Sequence, residues 1–308
     1  MRDLDMTTLR LFVAVCEQHS IARAGEAANI VGSAISKRLA ALEDTVGMKL
    51  LVRGRRGVAP TPAGEALLDH ARAILGNVAR IERDIGAFSS GVKGQVRILA
   101  TASVLAASLA EDVATFLHDP AHADIRVDME EGLSHHIIRG VRDGVASLGM
   151  CWDAADFLGL ACLPYGGDRL AVAVHPQHPL ARYREVSLTD TLDHEQVTLP
   201  DASAVTRTLM QLARQSGKTL MRRVIVSNLD SAMRVVGANL AIAIVPTTTA
   251  QYYAASKAMR VVALTDDWAD RRFALCFRGE GELSAAARLL RDHLVAARAP
   301  TAAPLGPS

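Results

Sequence analysis

The run from Ser20 to Glu43 restricts the fold of this chain more than any other stretch. It reads as two short helices joined by a tight turn. Ser20 is placed to cap the first, and Ala24, Gly25 and Ala28 give that helix a small-residue face for close packing. The second begins near Ser33, where Val31 has no side chain that could cap it. Ser33 is expected to take the cap, or Gly32 to tolerate the turn. Ile35, Leu39 and Leu42 supply an apolar i, i+4, i+7 stripe, leaving Ser33, Ser36, Lys37 and Arg38 exposed. A helix with an apolar back and a front of short hydroxyls and cations suits the DNA major groove. An ordinary amphipathic pair would carry the same stripe, so the flanking residues decide.

Those residues favour nucleic acid. After Glu43, two short apolar segments flank the tip Gly54-Arg55-Arg56-Gly57, which predicts a hairpin with cations at its turn. Beside a helix-turn-helix, such a hairpin is a wing whose Arg53, Arg55 and Arg56 reach phosphate or the minor groove. From Val31 to Pro60 the cations Lys37, Arg38, Lys49, Arg53, Arg55 and Arg56 face only Glu43 and Asp44, in a chain whose net charge is +1. The positive charge is concentrated where phosphates would lie.

Residues 4–64 resemble the DNA-binding domain of LysR-type transcriptional regulators. The resemblance runs through Leu9, Phe12, Val15, Ser20, Ala24, Ala34, Ser36, Leu39, Leu42, Glu43 and Gly47, then Leu50, Arg53, Arg56, Thr61, Ala63 and Gly64. Val31-Gly32 departs from the Ser-Gln common in the family at the start of the recognition helix. Gly32 thereby removes a long amide that could read an adenine edge.

Thr61-Pro62 is a helix start, a hydroxyl cap followed by a proline whose missing N–H costs nothing there. No proline interrupts the chain from there to Phe88. Leu67, Ala71, Ile74, Val78, Ile81, Ile85 and Phe88 follow alternating spacings of four and three, a heptad seam that predicts pairing with a second copy. Ser89 to Gly94 then breaks the helix and marks a hinge.

The remainder alternates strand and helix: strands at 95–100, 125–130 and 147–152 with helices between them predict a parallel sheet. Further strands are expected at 170–175, 196–199, 223–227 and 273–277, with helices at 229–237 and 284–297. Asn239, which tolerates left-handed backbone, sits at a helix-to-strand turn ahead of a buried strand ending at Pro246. This portion is similar to the effector domain of LysR-type regulators through Gly94 to Ile98, His178 to Ala181 and Val236 to Pro246. The resemblance implies a type 2 periplasmic-binding-protein fold. Two chain crossings, near Cys162–Pro164 and Val262–Thr265, would join its lobes around a small-molecule cleft. It further implies that Thr101, Ser103, Ser134, Ser203 and Thr247 line that cleft at strand ends and helix N-termini. Hydroxyls beside free helix N–H groups suit a carboxylate or other small anion, although Ser and Thr also cap helices with no ligand present.

The whole chain is thus expected to be an α/β protein carrying an α-rich N-terminal winged helix-turn-helix. Its parts would be a DNA-binding domain at 1–61, a linker and dimerisation helix with hinge at 62–91, an effector domain at 92–297 and a disordered tail at 298–308. Within the effector domain, lobe I would take 92–162 and 265–297, and lobe II 163–264. Expected partners are a pseudo-palindromic double-stranded operator, a small anionic effector, a second copy of the chain (by resemblance a tetramer) and RNA polymerase. No apolar run approaches the ~18 residues of a membrane span and no export signal is evident, so a cytoplasmic protein is expected. Cys16, Cys151, Cys162 and Cys276, and the pairs His135-His136 and His175/His178, lack metal-like spacing. No phosphate loop or nucleophile elbow occurs, so neither a cofactor nor enzymatic activity is expected. A solute-binding protein of the same α/β fold is the alternative, and the basic N-terminal segment argues against it.

Overall fold

A computed structural model describes residues 4–54, 57–89, 94–257 and 259–298. The chain forms two compact units that part near Gly86. The first contains α1 (Met6–Gln18), α2 (Ile21–Ala28), α3 (Gly32–Val46), the hairpin β1 (Leu51–Gly54) and β2 (Gly57–Pro60), and α4 (Pro62–Ser89). Leu11, Phe12 and Val15 of α1 meet Ile35, Leu39 and Leu42 of α3, together with Leu50, Val58 and Leu68, in one buried cluster. Ser20 caps α2, its hydroxyl accepting from the Arg23 N–H, and Thr61 caps α4 by accepting from the Gly64 N–H at 3.0 Å. Gly25 lets α2 approach the turn: a Cβ there would stand 2.5 Å from the Ile30 carbonyl oxygen. Helix α3 starts one residue before the expected Ser33 cap. Val31 is its N-cap with no side-chain bond, so Ser33 is inside the first turn and its hydroxyl is not a cap.

The heptad seam divides. Ala71 is buried in the first unit and Leu67 is half-buried against its core, whereas Ile74 and Ile81 are 40% and 54% exposed. Ile85 and Phe88 have side chains outside the described residues.

The second unit has two lobes. Lobe I begins with β3 (Gly94–Ala100) and a helical run made of α5 (Ala102–Val104), one π-helical turn (Leu105–Leu109) and α6 (Ala110–His118). It continues with β4 (Ile125–Glu131), α7 (Ser134–Arg142) and β5 (Leu148–Trp152). The strand β6 (Ala161–Val174) then runs through both lobes. Lobe II holds β7 (Glu185–Val186), α8 (Leu188–Thr191), β8 (Gln196–Thr198), α9 (Ala204–Gln215), β9 (Arg222–Ile225), α10 (Leu229–Gly237), β10 (Ala243–Pro246), α11 (Thr247–Lys257) and β11 (Arg260–Leu264). The chain returns to lobe I with β12 (Asp270–Phe277) and α12 (Ala285–Ala297).

Strand β3 lies between β4 and β5, parallel to both, as the alternation of elements predicts. The sheet as a whole is mixed, because β12 runs antiparallel to both β5 and β6. The first crossing also falls later than Cys162–Pro164. Those residues still pair with Ala274–Cys276 in lobe I, and β6 reaches lobe II only from Leu170 onward, where it pairs with β10 and β11. The second crossing follows Leu264, the last residue of β11, and precedes β12. Pro164, Gly166 and Gly167 are poor strand formers, yet Gly167 is what the strand needs: a Cβ there would stand 2.2 Å from the Arg271 carbonyl oxygen.

Arg298, assigned above to a disordered tail, is ordered instead. Its guanidinium forks onto Asp112 at 2.7 and 2.8 Å, and the buried Tyr165 hydroxyl donates to the same carboxylate. A nearly buried acid needs such a partner. Residues 299–308 lie outside the described residues.

Candidate functional site

In the first unit, the site is the outer face of α3 with the hairpin beside it. At about 100° per residue, Ser33, Ser36, Lys37 and Ala40 share an arc of about 100° opposite Ile35, Leu39 and Leu42. Ser33 and Lys37 are exposed and Ser36 is half-buried. Arg38 departs from the expected grouping. It lies about 140° around the helix from Ser33, and its Nη1 donates to the Asp5 carboxylate at 3.0 Å, where Asp5 already caps α1. Its charge is spent holding α3 to the start of α1.

Glu43 performs the matching task at the far end of α3. Its carboxylate accepts from the Leu50 and Leu51 N–H groups at 2.9 and 3.2 Å and from Lys49 Nζ at 2.6 Å, fixing the hairpin to the helix. Burial alone would raise its pKa. The Lys49 bond and the two amides outweigh that and hold the carboxyl below its ordinary value. The hairpin register pairs Arg53 with Val58 and Gly54 with Gly57. Arg55, Arg56 and the Arg53 side chain lie outside the described residues.

In the second unit, a cavity of about 390 Å³ opens between the lobes. Four of the five expected hydroxyls line it: Thr101 and Ser103 at the start of α5, Ser134 at the start of α7, and Ser203 at the start of α9. Thr247 does not. Its Oγ1 donates to the Arg169 carbonyl at 2.7 Å, pinning the first turn of α11 to β6.

The lining hydroxyls differ from others in the chain. Ser20, Thr61, Ser187 and Ser284 are N-caps that accept a hydrogen bond from their own helices. Thr101 and Ser203 are N-caps too, yet neither makes a side-chain capping bond. They come from opposite lobes and face one space. The wall around them is mostly apolar, with Leu133, Trp152, Leu209, Ile244 and Phe273 prominent.

Among the lining residues that sequence reasoning missed is Arg271. It is the one Arg or Lys among the described lining residues, and it is buried. Its Nε donates to Asp168 Oδ1 at 2.8 Å and its Nη2 to the other carboxylate oxygen, while its guanidinium carbon lies 5.7 Å from the centre of the Phe273 ring. Burial pushes the Asp168 carboxyl up against the pull of Arg271. No local pattern marks this pair, because its members stand 103 residues apart. His136 also lines the cavity, and the centre of its ring lies 4.0 Å from that of His135. Burial is the main cause lowering the His135 pKa, with His136, Arg139 and Arg207 adding to it.

A winged helix-turn-helix followed by a two-lobed α/β domain with a cavity at its chain crossings is the architecture of a ligand-responsive DNA-binding protein. Residues 6–65 match the family described as "Bacterial regulatory helix-turn-helix protein, lysR family", and residues 89–299 match the "LysR substrate binding domain". The chain belongs to the LysR family of transcriptional regulators.

Among its relatives, the regulator YvbU of Bacillus subtilis (strain 168) is 25% identical over 78% of this chain and 81% of its own length. The regulator BenM of Acinetobacter baylyi (strain ATCC 33305 / BD413 / ADP1) is 26% identical over 80% of this chain and 81% of its own. Among solved structures, CbnR, a LysR family transcriptional regulator, superposes with a TM-score of 0.64 at 20% identity, covering 96% of this chain and all of CbnR. The effector-binding domain of QuiR in complex with shikimate gives 0.59 at 21% identity, covering 67% of this chain and 97% of that domain. These two likenesses establish the fold. No described helix is long and apolar enough to cross a membrane.

Proposed function

We propose that this regulator reads DNA with the Ser33, Ser36 and Lys37 face of α3, grips phosphate with Arg53, Arg55 and Arg56 of the hairpin, and responds to a small anionic effector held between the lobes. The observation that carries the effector reading is the pair of uncommitted caps. Thr101 and Ser203 leave free N–H groups and free hydroxyls at two helix starts facing a single cavity. Such groups favour negative charge. Ser103 and Ser134 add hydroxyls to the same lining. Arg38 contributes to docking indirectly, by fixing α3 to α1.

The exposed seam of Ile74 and Ile81 on α4 supports dimerisation, with two recognition helices presented to a pseudo-palindromic operator in the cytoplasm. Family membership supports a tetramer built from such pairs. Effector binding changes DNA affinity only so far as it favours one arrangement of the protein over another, typically by about 1–3 kcal/mol.

A titration of the full-length protein with nonspecific duplex DNA at several salt concentrations tests the DNA half of this reading. A linear fall of log K with log salt is expected, and a salt-independent affinity would remove it. Thermal-shift screening against small metabolites tests the other half, since a ligand that binds only the folded state raises its midpoint. Hits confined to uncharged compounds would overturn the anionic assignment.

A further inference from the structure

The Asp168–Arg271 ion pair has no evident role in folding alone. Both side chains are almost fully buried, 2% and 4% exposed, and a buried ion pair is seldom more stabilising than two apolar residues of the same size. Its position is more telling. Asp168 and Arg271 are direct register partners on β6 and β12, the two strands at the crossings between the lobes. Arg271 also lines the cavity. Asp168 takes one edge of its guanidinium, through Nε and Nη2, and Nη1 has no hydrogen-bond partner among the described residues.

We propose that Arg271 is the charge-reading residue of the cavity: its free Nη1 corner receives the carboxylate of a small organic monocarboxylate whose aromatic or branched aliphatic body lies against Leu133, Trp152, Leu209 and Phe273. This rests on the reading that the effector binds between the lobes. The chemistry is specific in three ways. The cavity has a single fork corner to offer, which suits one carboxylate rather than two. An arginine fork gives a charge-assisted bond about twice as strong as a neutral one, and the uncharged amide of the same acid cannot make it. The largely apolar wall calls for an apolar body. Asp168 holds the guanidinium plane through Nε and Nη2 and offsets part of its charge, leaving the Nη1 edge to attract an anion. Because both residues sit at the crossings, charge arriving there acts on the segments that would move if the lobes closed.

The test uses the full-length protein carrying Trp268→Phe, which leaves Trp152 in the cavity wall as the fluorescent reporter. The probes are phenylacetate and 4-methylpentanoate, each set against its amide. At least one acid is expected to quench or shift Trp152 emission and to bind about tenfold or more tightly than its amide. Arg271→Met should abolish that selectivity, and Arg271→Lys should keep part of it. Removing Arg271 alone leaves a buried unpaired carboxylate, so the double variant Asp168→Leu/Arg271→Met, which removes both charges, carries the same measurement if the single variant does not fold.

Asp168→Asn supplies the decisive contrast. It removes the compensating negative charge, so acid binding should tighten several-fold, the opposite of the Arg271 variants. A purely structural pair would weaken binding in both directions. Equal affinity for acids and amides, or selectivity that survives in the Arg271→Met or double variant, overturns the proposal while leaving the cavity as the effector site. Failure of both acids to bind at millimolar concentration also overturns it. An acid that raises the melting midpoint without moving Trp152 emission and without sensitivity to Arg271 binds elsewhere, and removes the inter-lobe reading with it.

Discussion

The two units differ in which groups they leave unsatisfied. Away from the outward face of α3, the first ties polar side chains into its own fold: Asp5, Ser20 and Thr61 cap their own helices, Arg38 is held by Asp5, and Glu43 accepts three hydrogen bonds. On α4 it leaves apolar side chains open, at Ile74 and Ile81. The second unit buries its apolar residues in several clusters and leaves polar capacity open instead, at Thr101, Ser203 and Arg271. An unmet apolar stripe calls for another protein surface, whereas unmet hydroxyls and N–H groups in an apolar cavity call for a small polar ligand. The residues that break local satisfaction mark what each unit is for.

The largest expected effect tests the apolar half of this contrast. Ile81→Glu places a charge in the seam and should abolish dimers in sedimentation. With two-site attachment lost, operator affinity should drop by roughly 10²-fold or more. A monomeric variant with undiminished operator affinity would sever α4 from the comparison.

Next come the cations. Arg55→Ala or Arg56→Ala should weaken binding to all duplexes alike and lower the slope of log K against log salt by about one. Arg38→Ala should leave that slope unchanged, because its charge is already engaged by Asp5. A slope change for Arg38→Ala equal to that of the hairpin arginines would return Arg38 to the phosphate-binding set.

Ser20→Ala and Ser203→Ala sharpen the contrast between used and unused caps. Loss of the Ser20 cap should cost about 1 kcal/mol of stability in urea denaturation. Ser203 makes no capping bond, so its removal should change stability by less than about 0.5 kcal/mol and should show instead as weakened effector response. Equal stability losses would mean that both hydroxyls serve only their helices.

The smallest effect is that of Glu43. Its folded pKa lies below the ordinary value of 4.5, so its contribution is fully present above that pH and is lost as the pH falls through the folded value. Urea midpoints of the first unit should therefore decline on acidification below about pH 4.5. Glu43→Gln should start lower and decline less. Parallel pH profiles for the two proteins would remove Glu43 as the fastener between α3 and the hairpin.

Much of this molecule is written in patterns one helical turn or one hairpin long. The spacing of Ile35, Leu39 and Leu42, the cap-and-proline start at Thr61-Pro62, the pairing of β1 with β2, and the helix Leu229–Gly237 follow from neighbouring residues alone. The left-handed backbone at Asn239, with φ of 56°, does so too. Helix α9 and helix α11 escaped that reading. So did the first half of β6, where a proline and two glycines suggest a break that pairing with β12 overrides.

Residues of like chemistry also diverged once packed. Thr101 keeps its hydroxyl clear of its helix at the cavity wall, while Thr247 donates to Arg169; Lys37 faces outward, while Arg38 beside it turns to Asp5. Sequence by itself determined which segments fold into which elements, because hydrophobic period, caps and turns act over a few residues. Only the tertiary structure decided which polar groups remain free to act on a ligand, because partners such as Asp168 and Arg271, 103 residues apart, meet only when β6 and β12 pair.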